Sequence, residues 1–289
     1  MFENCKKYYL LILAVMLLGV NIYIFSLDRQ NVHRGLTFAM LDIGQGDGLF
    51  IESPAGVQVM FDAGLAHKVL SPLSQVMPIY DKKIDAIVIT NPDADHIAGF
   101  LDILKNYKVG KVFEPGTFNN SKTYKNLEAE IKRQNIPDIL VKKGMRLNLG
   151  GGAVIDILFP DRDVANWETN DGSVIARLSY GETSVMLTGD ATKLTERIVL
   201  KENDARLLKS TILKVGHHGS HTSTSPEFMQ AVSPIYAMIS DGKNNKYGHP
   251  HKETLDILNQ FKAKVFRTDL LGTIVMKSNG KTFNFSFLK

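Results

Sequence analysis

The chain has 289 residues, of which 44% are hydrophobic and 22% charged, an ordinary globular composition with enough apolar residues for one large core or two modest ones. Its 34 basic and 30 acidic residues leave a formal charge of +4, which excludes a polybasic protein that holds nucleic acid by charge alone. The single cysteine, Cys5, excludes internal disulfides, a cysteine-based zinc site and a CxxC redox motif. Any metal must therefore be bound by His, Asp or Asn.

The first predicted element is an apolar run at residues 8–25 that contains no charged side chain. It suits the roughly 20 residues of a membrane span better than the about 7–15 residues of a signal-peptide core. Because Lys6 and Lys7 precede it, we predict a cytoplasmic n-region at 1–7, a transmembrane signal anchor at 8–26 and a linker at 27–35. The rest of the chain would then lie outside the cytoplasmic membrane. Signal cleavage and secretion is the alternative, and a buried core helix is disfavoured because the run is apolar on every side.

The remaining residues, 36–289, predict one mixed α/β domain, since no internal repeat or flexible linker interrupts them. Apolar and β-branched runs predict strands at 36–41, 49–52, 57–61, 84–90, 154–159, 174–180, 184–187, 211–215, 236–239, 273–277 and 282–287. Helical spacing of apolar residues predicts helices at 97–106, 124–134, 193–201, 226–232 and 252–261.

Polar clusters follow three of the predicted strands. TNPDADHIAG at 90–99 follows the first, LTGD at 187–190 ends the second, and VGHHGS at 215–220 follows the third. One strand-end Asp or His is commonly a turn residue or a packed side chain. Three such clusters in one chain favour a metal centre, because side chains at strand ends can converge.

These motifs resemble those of the metallo-β-lactamase fold, with TNPDADHIAG at the place of its H-x-H-x-D-H metal loop. LDIGQGDG at 41–48, FDAG at 61–64, HHGSHTSTS at 217–225 and YGHPH at 247–251 narrow the resemblance to the extracytoplasmic hydrolase domain of ComEC-type DNA-uptake proteins. The resemblance covers about residues 36–288. It implies an αββα sandwich, in which two mixed sheets lie between helices and the metals are held by loops along one edge. ComEC proteins carry many transmembrane helices, whereas one is predicted here.

By this resemblance, Asp95, His96, Asp190 and His217 would hold one divalent ion, and their two carboxylates and two imidazoles suit Zn²⁺ or Mn²⁺. A second ion would be held by Asp190, which bridges the two ions, and by residues that depart from the family's histidines. Those residues are Asn91, Asp93 and either Asn170 or Asp171. The alternative, that Asn91 marks a lost second site, stays open.

The resemblance places His249 on the substrate side of the site, and the chemistry of the neighbouring residues suggests the other candidates. Asp95, His218 and His249 are the candidate catalytic side chains, with His218 expected to point away from the metal because adjacent residues diverge, and His249 expected to contact the phosphate or protonate the leaving oxygen. The candidate phosphate-binding residues are Gly219, Ser220, Thr222, Ser223, Thr224, Ser225, Lys243, Asn245 and Tyr247. The expected supporting residues are Asp42, Gln45, Asp47 and Asp62.

We therefore expect a membrane-anchored, metal-dependent phosphodiesterase that cuts DNA, most simply single strands, and that works with a DNA-uptake channel. Hydrolysis of another small substrate, such as a phosphate ester, lactam or lactone, is one alternative. The other is a tethered DNA-binding module that has lost catalysis together with one metal. The sequence does not indicate an oligomeric state.

Overall fold

The structure is a computed structural model that describes residues 2–31, 35–78 and 80–289. The chain forms two compact units, which divide after Arg34. In the first unit, a single helix α1 (Phe2–Asn31) has described side chains over residues 7–23, all of them exposed. Within the described residues, no helix is both long and apolar enough to cross a membrane. The membrane anchor therefore stays a prediction.

The second unit contains the strands, which form two large sheets and one small one. They are β1 (Leu36–Met40), β2 (Gly48–Glu52), β3 (Gln58–Ala63), β4 (Lys83–Ile84), β5 (Ala86–Val88), β6 (Lys108–Val109), β7 (Val112–Glu114), β8 (Asp138–Leu140), β9 (Arg146–Gly150), β10 (Ala153–Phe159), β11 (Ile175–Tyr180), β12 (Thr183–Leu187), β13 (Ile212–Lys214), β14 (Tyr236–Ile239), β15 (Lys264–Arg267), β16 (Thr273–Ser278) and β17 (Phe283–Leu288).

Short helices connect these strands. They are α2 (Leu70–Val76), α3 (Ala94–Ile97), α4 (Phe100–Asn106), α5 (Lys122–Arg133), α6 (Lys193–Glu202), α7 (Ala205–Leu208), a 3₁₀ turn at Gly216–Gly219, α8 (Pro226–Val232), α9 (Lys252–Gln260) and α10 (Thr268–Leu271). Several begin at side-chain caps that the sequence supplies. Ser121, Thr192 and Ser225 each accept a hydrogen bond from a backbone N–H in the first turn of α5, α6 and α8.

The two large sheets are mixed. One has the order β17-β16-β1-β2-β3-β5-β7-β8 and the other β15-β14-β13-β12-β11-β10-β9, while β4 and β6 pair separately. In the first, β1 is antiparallel to its neighbours and β3, β5, β7 and β8 run parallel. In the second, β9 to β12 are antiparallel and β12 to β15 parallel. Parallel strands end at the same edge of a sheet, which places their following loops together.

Three apolar clusters show the layers. Phe38 and Phe61 of one sheet pack with Ile155 and Leu187 of the other between the sheets. A second cluster joins the outer face of the first sheet to α2 to α5, and a third joins the outer face of the second sheet to α6, α8 and α9. The architecture is the αββα sandwich that the sequence predicts.

The predicted helix at 97–106 is interrupted, because α3 ends at Ile97 and α4 begins at Phe100. Gly99 lies between them and approaches β3 so closely that an added Cβ would lie 2.0 Å from the carbonyl oxygen of Ala63. The Gly99 N–H donates to the carbonyl of Gly64 at 2.9 Å. This contact fixes α3, and with it His96, against the end of β3.

Candidate metal centre

A polar cleft of about 200 Å³ lies where β12 and β13 end and α3 begins. It brings together side chains from six separate stretches of the chain. They are Gln45, Asp93, Asp95, Asn170, Asp190, His217, His218, Tyr247 and His249.

Three imidazoles converge on one carboxylate oxygen in this cleft. Oδ2 of Asp190 lies 3.1 Å from Nε2 of His96, 3.4 Å from Nε2 of His218 and 3.6 Å from Nε2 of His217. Asp95 approaches from the open side, with Oδ2 3.8 Å from Nε2 of His218 and its side chain 27% exposed. The four residues predicted for the first ion are thus close together, and His218 joins them.

The other nitrogen of each ring is held from behind. Nδ1 of His96 lies 2.8 Å from Oδ2 of Asp62, Nδ1 of His218 lies 3.0 Å from the carbonyl of Ser240, and Nδ1 of His217 lies 3.0 Å from Oγ1 of Thr222. A proton donated from Nδ1 leaves the lone pair of Nε2 free, which is the arrangement that metal-binding histidines use.

These residues fit a divalent cation. Nε2 of His96, Nε2 of His218 and Oδ1 of Asp190 are buried and have no hydrogen-bond partner. Ligand atoms of Asp95, His96 and His218 lie within 4.8 Å of one another. A buried polar atom without a partner is costly. One metal ion shared by His96, His218 and Asp190 would give a partner to each of their three unpaired atoms.

The expectation that His217 and His218 diverge is wrong. Both residues adopt left-handed backbone conformations, with φ of 48° and 54°, inside the short 3₁₀ turn at Gly216–Gly219. This curvature brings both rings toward Asp190, with ring centroids 6.1 Å apart. His218 is fully buried and faces the carboxylate more closely than His217 does. We therefore place His218 among the metal ligands.

Lys214 is a residue of the centre that the sequence analysis missed. It is fully buried at the end of β13, where its ammonium forms an ion pair with Asp47, donates to the carbonyl of Gly189 at 2.6 Å and lies 3.8 Å from Oδ1 of Asp190. A lysine in a strand-end motif is commonly exposed, so only its apolar neighbours within ILKV could have signalled burial.

Burial and charge act in opposite directions on these groups. Burial opposes ionisation of Asp190, but His218 and His96 outweigh it and hold its pKa well below the usual range. Burial likewise opposes protonation of His218, but Asp190 and Asp47 raise its pKa to about 10. His249 has no such carboxylate beside it, so burial and the charges of His218 and His217 lower its pKa to about 4.

Most of the residues predicted for a second ion accept hydrogen bonds from the protein, and the second site stays a prediction. The carboxylate of Asp93 accepts from Nδ2 of Asn119 at 2.9 Å and from Oγ1 of Thr169 at 2.8 Å. Oδ1 of Asn91 accepts from the N–H of Asp93 at 2.9 Å. The side chain of Asp171 accepts from Thr192, and Asn170 lines the cleft. Asp93, Asn91 and Asp171 thus each accept from a protein donor, and none of their side-chain atoms is among the described buried atoms without a partner.

The predicted phosphate-binding role of Ser223, Thr224 and Ser225 is also wrong. All three are buried, and the N–H groups of Thr224 and Ser225 donate to the carboxylate of Glu196 at 2.5 and 2.8 Å. Ser223 donates to the carbonyl of Ala191. The serine and threonine run therefore builds the loop that carries His217 and His218.

The rest of this loop is also mostly structural. Ser220 is buried and its hydroxyl accepts from Thr222, while the carbonyl of Gly219 accepts from the N–H of His251. Thr222 is exposed and orients His217, as described above. Neither Gly219 nor Ser220 is among the described residues that line the cleft.

The 243–251 loop forms one wall of the cleft. Asn245 shapes the loop, because its side chain accepts from the N–H groups of Tyr247 and His249 and donates to the carbonyls of Gly242 and His249. The ring of Tyr247 stacks on that of His249, with centroids 5.7 Å apart, and His249 lies 5.6 Å from His217. Lys243 is exposed and is not among the cleft residues.

Three of the four expected supporting residues lie at the centre. Asp62 and Asp47 are buried against His96 and His218. Gln45 lines the cleft, and its Oε1 is buried without a partner. Asp42 is exposed and only accepts a 3.4 Å hydrogen bond from Gly44 within its turn.

The fold and this centre define the class of protein. The family model of the metallo-beta-lactamase superfamily matches residues 43–239, and the chain belongs to that superfamily. The centre therefore sits in a fold whose members bind divalent metals for hydrolysis.

Curated relatives confirm the narrower resemblance to competence proteins. The chain is 35% identical over 268 residues to "ComE operon protein 3" of Bacillus subtilis, an alignment that covers 86% of this chain and 34% of the relative. It is 29% identical over 238 residues to "Competence protein ComA" of Neisseria gonorrhoeae, covering 81% of this chain and 31% of that protein. The chain thus spans about a third of the length of these relatives.

Solved structures share the fold at low identity. The metallo-beta-lactamase fold protein YhfI from Bacillus subtilis matches with a TM-score of 0.52 and 14% identity, over 80% of this chain and 96% of that one. A mutant of the beta-hydroxylase CmlA matches with a TM-score of 0.55 and 13% identity, over 84% of this chain and 54% of that one. At these identities the matches show the fold alone.

Proposed function

We propose that the chain is a metal-dependent phosphodiesterase that cleaves single-stranded DNA. The observation that carries the proposal is the convergence of Nε2 atoms from His96, His217 and His218 on Oδ2 of Asp190. Two of these nitrogens are buried without a hydrogen-bond partner, and Asp95 stands at the open side. This is a donor set of imidazoles and carboxylates that suits Zn²⁺ or Mn²⁺.

His96, His218, Asp190 and Asp95 would hold the ion, with His217 beside them. When bound, such an ion lowers the pKa of a coordinated water toward about 7 and stabilises negative charge on phosphate oxygens. The protein's own contribution is orientation: Asp62, Ser240 and Thr222 fix the rings from behind, so that the Nε2 atoms point into the cleft.

Two features of the cleft wall favour a single strand as the substrate. Tyr247 is 50% exposed beside the cleft, with one face on His249 and the Nζ of Lys246 5.0 Å from its ring centroid. An exposed aromatic ring next to a cation provides a platform on which an unpaired base can stack, worth about 1–3 kcal/mol per base. His249 would contact the phosphate between Tyr247 and the metal centre.

The competence names of the relatives supply the setting of the proposal. In this setting the hydrolase unit would act on DNA that a DNA-uptake channel transports. The apolar segment at 8–26 would anchor it in the cytoplasmic membrane with the hydrolase unit outside. Secretion after signal cleavage would place the same unit outside without an anchor.

The test is cleavage by the purified full chain with Mn²⁺ or Zn²⁺. We expect it to degrade single-stranded DNA and bis-p-nitrophenyl phosphate but not the lactam nitrocefin. His218→Ala should lower the rate at least about 100-fold, whereas His67→Ala, a change at an exposed histidine outside the cleft, should not change it. Tyr247→Ala should slow cleavage of DNA but not of the small phosphodiester.

A chain that hydrolyses none of these substrates while it binds DNA in a salt-dependent way would be a binding module instead. Nitrocefin turnover without phosphodiester cleavage would assign it to small-molecule hydrolysis. Equal rates for His218→Ala and the unmodified chain would contradict the metal mechanism.

A further inference from the structure

Three carboxylates face one another near β8, the edge strand of the first sheet. Glu114 ends β7, Asp138 begins β8, and Glu128 lies in α5. One carboxylate oxygen from each lies within 4.8 Å of the other two. None of them is part of the metal centre or its cleft.

The fold brings these side chains together for a geometric reason. In the parallel pairing of β7 and β8, Val112 lies opposite Asp138, so Glu114, two residues on from Val112, points to the same face of the sheet. The same face carries α5, because Val112 packs with Leu127 of that helix. Each strand and the helix therefore contributes one carboxylate to a common point.

The cluster lacks the partners that buried acids normally have. Glu114 is only 8% exposed, and among the described residues its carboxylate accepts no hydrogen bond. Glu128 is partly buried, and Asp138 is exposed. Oε1 of Glu128 is also buried without a partner. Burial together with the charges of Asp138 and Glu128 raises the pKa of Glu114 to about 8, and no basic group opposes this rise. A buried carboxylate that faces two other acids is stabilised by a positive charge.

We propose that Glu114, Glu128 and Asp138 bind a hard divalent cation, most simply Ca²⁺. All three ligands are oxygens, which hard cations prefer. Calcium–oxygen distances of about 2.3–2.6 Å allow ligand oxygens to lie up to about 5 Å apart, whereas the about 2.1 Å distances of Mg²⁺ allow only about 4.2 Å. The bound cation would fasten α5 to β8, which is the edge strand of its sheet.

Tyr124 offers a spectroscopic reporter for this site. It precedes Glu128 by one helical turn on α5, is nearly buried, and senses the charges of all three carboxylates, which with burial raise its pKa. Terbium(III) binds at calcium sites and emits when a nearby tyrosine is excited. A terbium ion held by the cluster should therefore emit through Tyr124.

The experiment uses the full chain, purified in mild detergent and stripped with EDTA. We expect 5 mM CaCl₂ to raise its melting temperature by several degrees, and MgCl₂ to raise it less. Glu128→Gln and Asp138→Asn should each remove at least half of the calcium shift. Glu130→Gln, which makes the same charge change on α5 outside the cluster, and Asp190→Asn in the metal centre should keep it.

Terbium emission gives a second readout that does not depend on stability. It should fall at least tenfold in Glu128→Gln, and Tyr124→Phe should reduce the emission while leaving the calcium shift. The proposal is overturned if calcium does not raise the melting temperature of the unmodified chain, or if Glu128→Gln and Asp138→Asn retain the full shift. Apart from Asp190→Asn, none of these changes lies in the cleft, so DNA cleavage should continue in the other variants.

Discussion

Two places in this molecule hold buried carboxylates in opposite surroundings. In the metal centre, Asp47 and Asp190 face Lys214 and the imidazoles of His96 and His218. In the cluster at β7 and β8, Glu114 faces only other acids. The pKa of Asp190 is accordingly held well below the usual range, although burial opposes this, whereas that of Glu114 is raised to about 8.

The comparison shows that burial alone does not decide the charge of a carboxyl group. A buried acid stays ionised where fixed cations face it, and it needs a proton or a metal where they do not. In the metal centre, Lys214 supplies a positive charge from the protein itself. In the acidic cluster, Glu114 holds a proton or, as proposed above, faces a cation from solution.

The largest expected effect comes from removing the fixed cation of the metal centre. Lys214→Met leaves Asp47 buried opposite an uncharged side chain, so we expect the free energy of unfolding to fall by about 3–5 kcal/mol. Urea denaturation measures this. Lys209→Met, at an exposed lysine, should change it by less than about 0.5 kcal/mol. Equal losses in both variants would mean that Lys214 does not balance the centre.

A smaller effect is expected where only the orientation of a ligand changes. Asp62→Asn keeps the shape of the side chain but weakens its hold on Nδ1 of His96, so metal affinity should fall by about 10–100-fold. Isothermal titration with Zn²⁺ measures the change. Asp42→Asn serves as the control, since that carboxylate is exposed and lies in its own turn. Unchanged affinity in Asp62→Asn would show that His96 needs no support.

Removing a charge should destabilise the metal centre, as in Lys214→Met, but should stabilise the acidic cluster. Because the folded pKa of Glu114 is about 8 and the ordinary value is 4.5, the folded state binds the proton more tightly, and stability falls as pH rises through this range. In EDTA, Glu114→Gln should therefore be about 1–3 kcal/mol more stable than the unmodified chain at pH 8.5, with little gain at pH 4.5. Denaturation at the two pH values measures this, and a variant less stable at pH 8.5 would contradict it.

The smallest effect is expected beside the metal centre, where the side chains satisfy one another. Asn91→Ala removes the hydrogen bond that Asn91 accepts from the N–H of Asp93, which should lower the free energy of unfolding by about 1–3 kcal/mol. Metal affinity should change by less than about twofold, because Asn91 is not a ligand in the arrangement described. Loss of a bound ion in this variant, measured by metal analysis, would instead show that Asn91 belongs to a second metal site.

The sequence was sufficient to predict most strands and helices. The long apolar runs are covered on both faces in the sandwich, so local pattern and tertiary burial agree. The missed elements include the strands β6, β7, β8, β9 and β15, which have two to five residues each, and the short helices α2, α7 and α10. Such segments are too short for periodicity to distinguish them from loops.

The candidate site was predictable in part, for a similar reason. Asp95, His96, Asp190 and His217 follow strands, and the residues after strand ends converge in this fold. The role of His218 depends on two consecutive residues in the left-handed conformation, which two adjacent histidines do not predict. The sequence predicts that the N–H groups of Thr224 and Ser225 are free to bind phosphate. Their acceptor, Glu196, lies 28 and 29 residues earlier in the chain, so local spacing does not reveal the contact.

The residue types and local patterns of the sequence determined the mixed α/β class, the order of most elements and the oxygen and nitrogen character of the metal site, while the sandwich arrangement was implied by the resemblance of the motifs. Only the tertiary structure decided which of those polar atoms have partners. Lys214 is buried, Asp93 is engaged and Nε2 of His218 is without a partner because segments far apart in the chain pack together. A hydrogen bond or an ion pair depends on distances of a few ångströms, which sequence spacing does not fix.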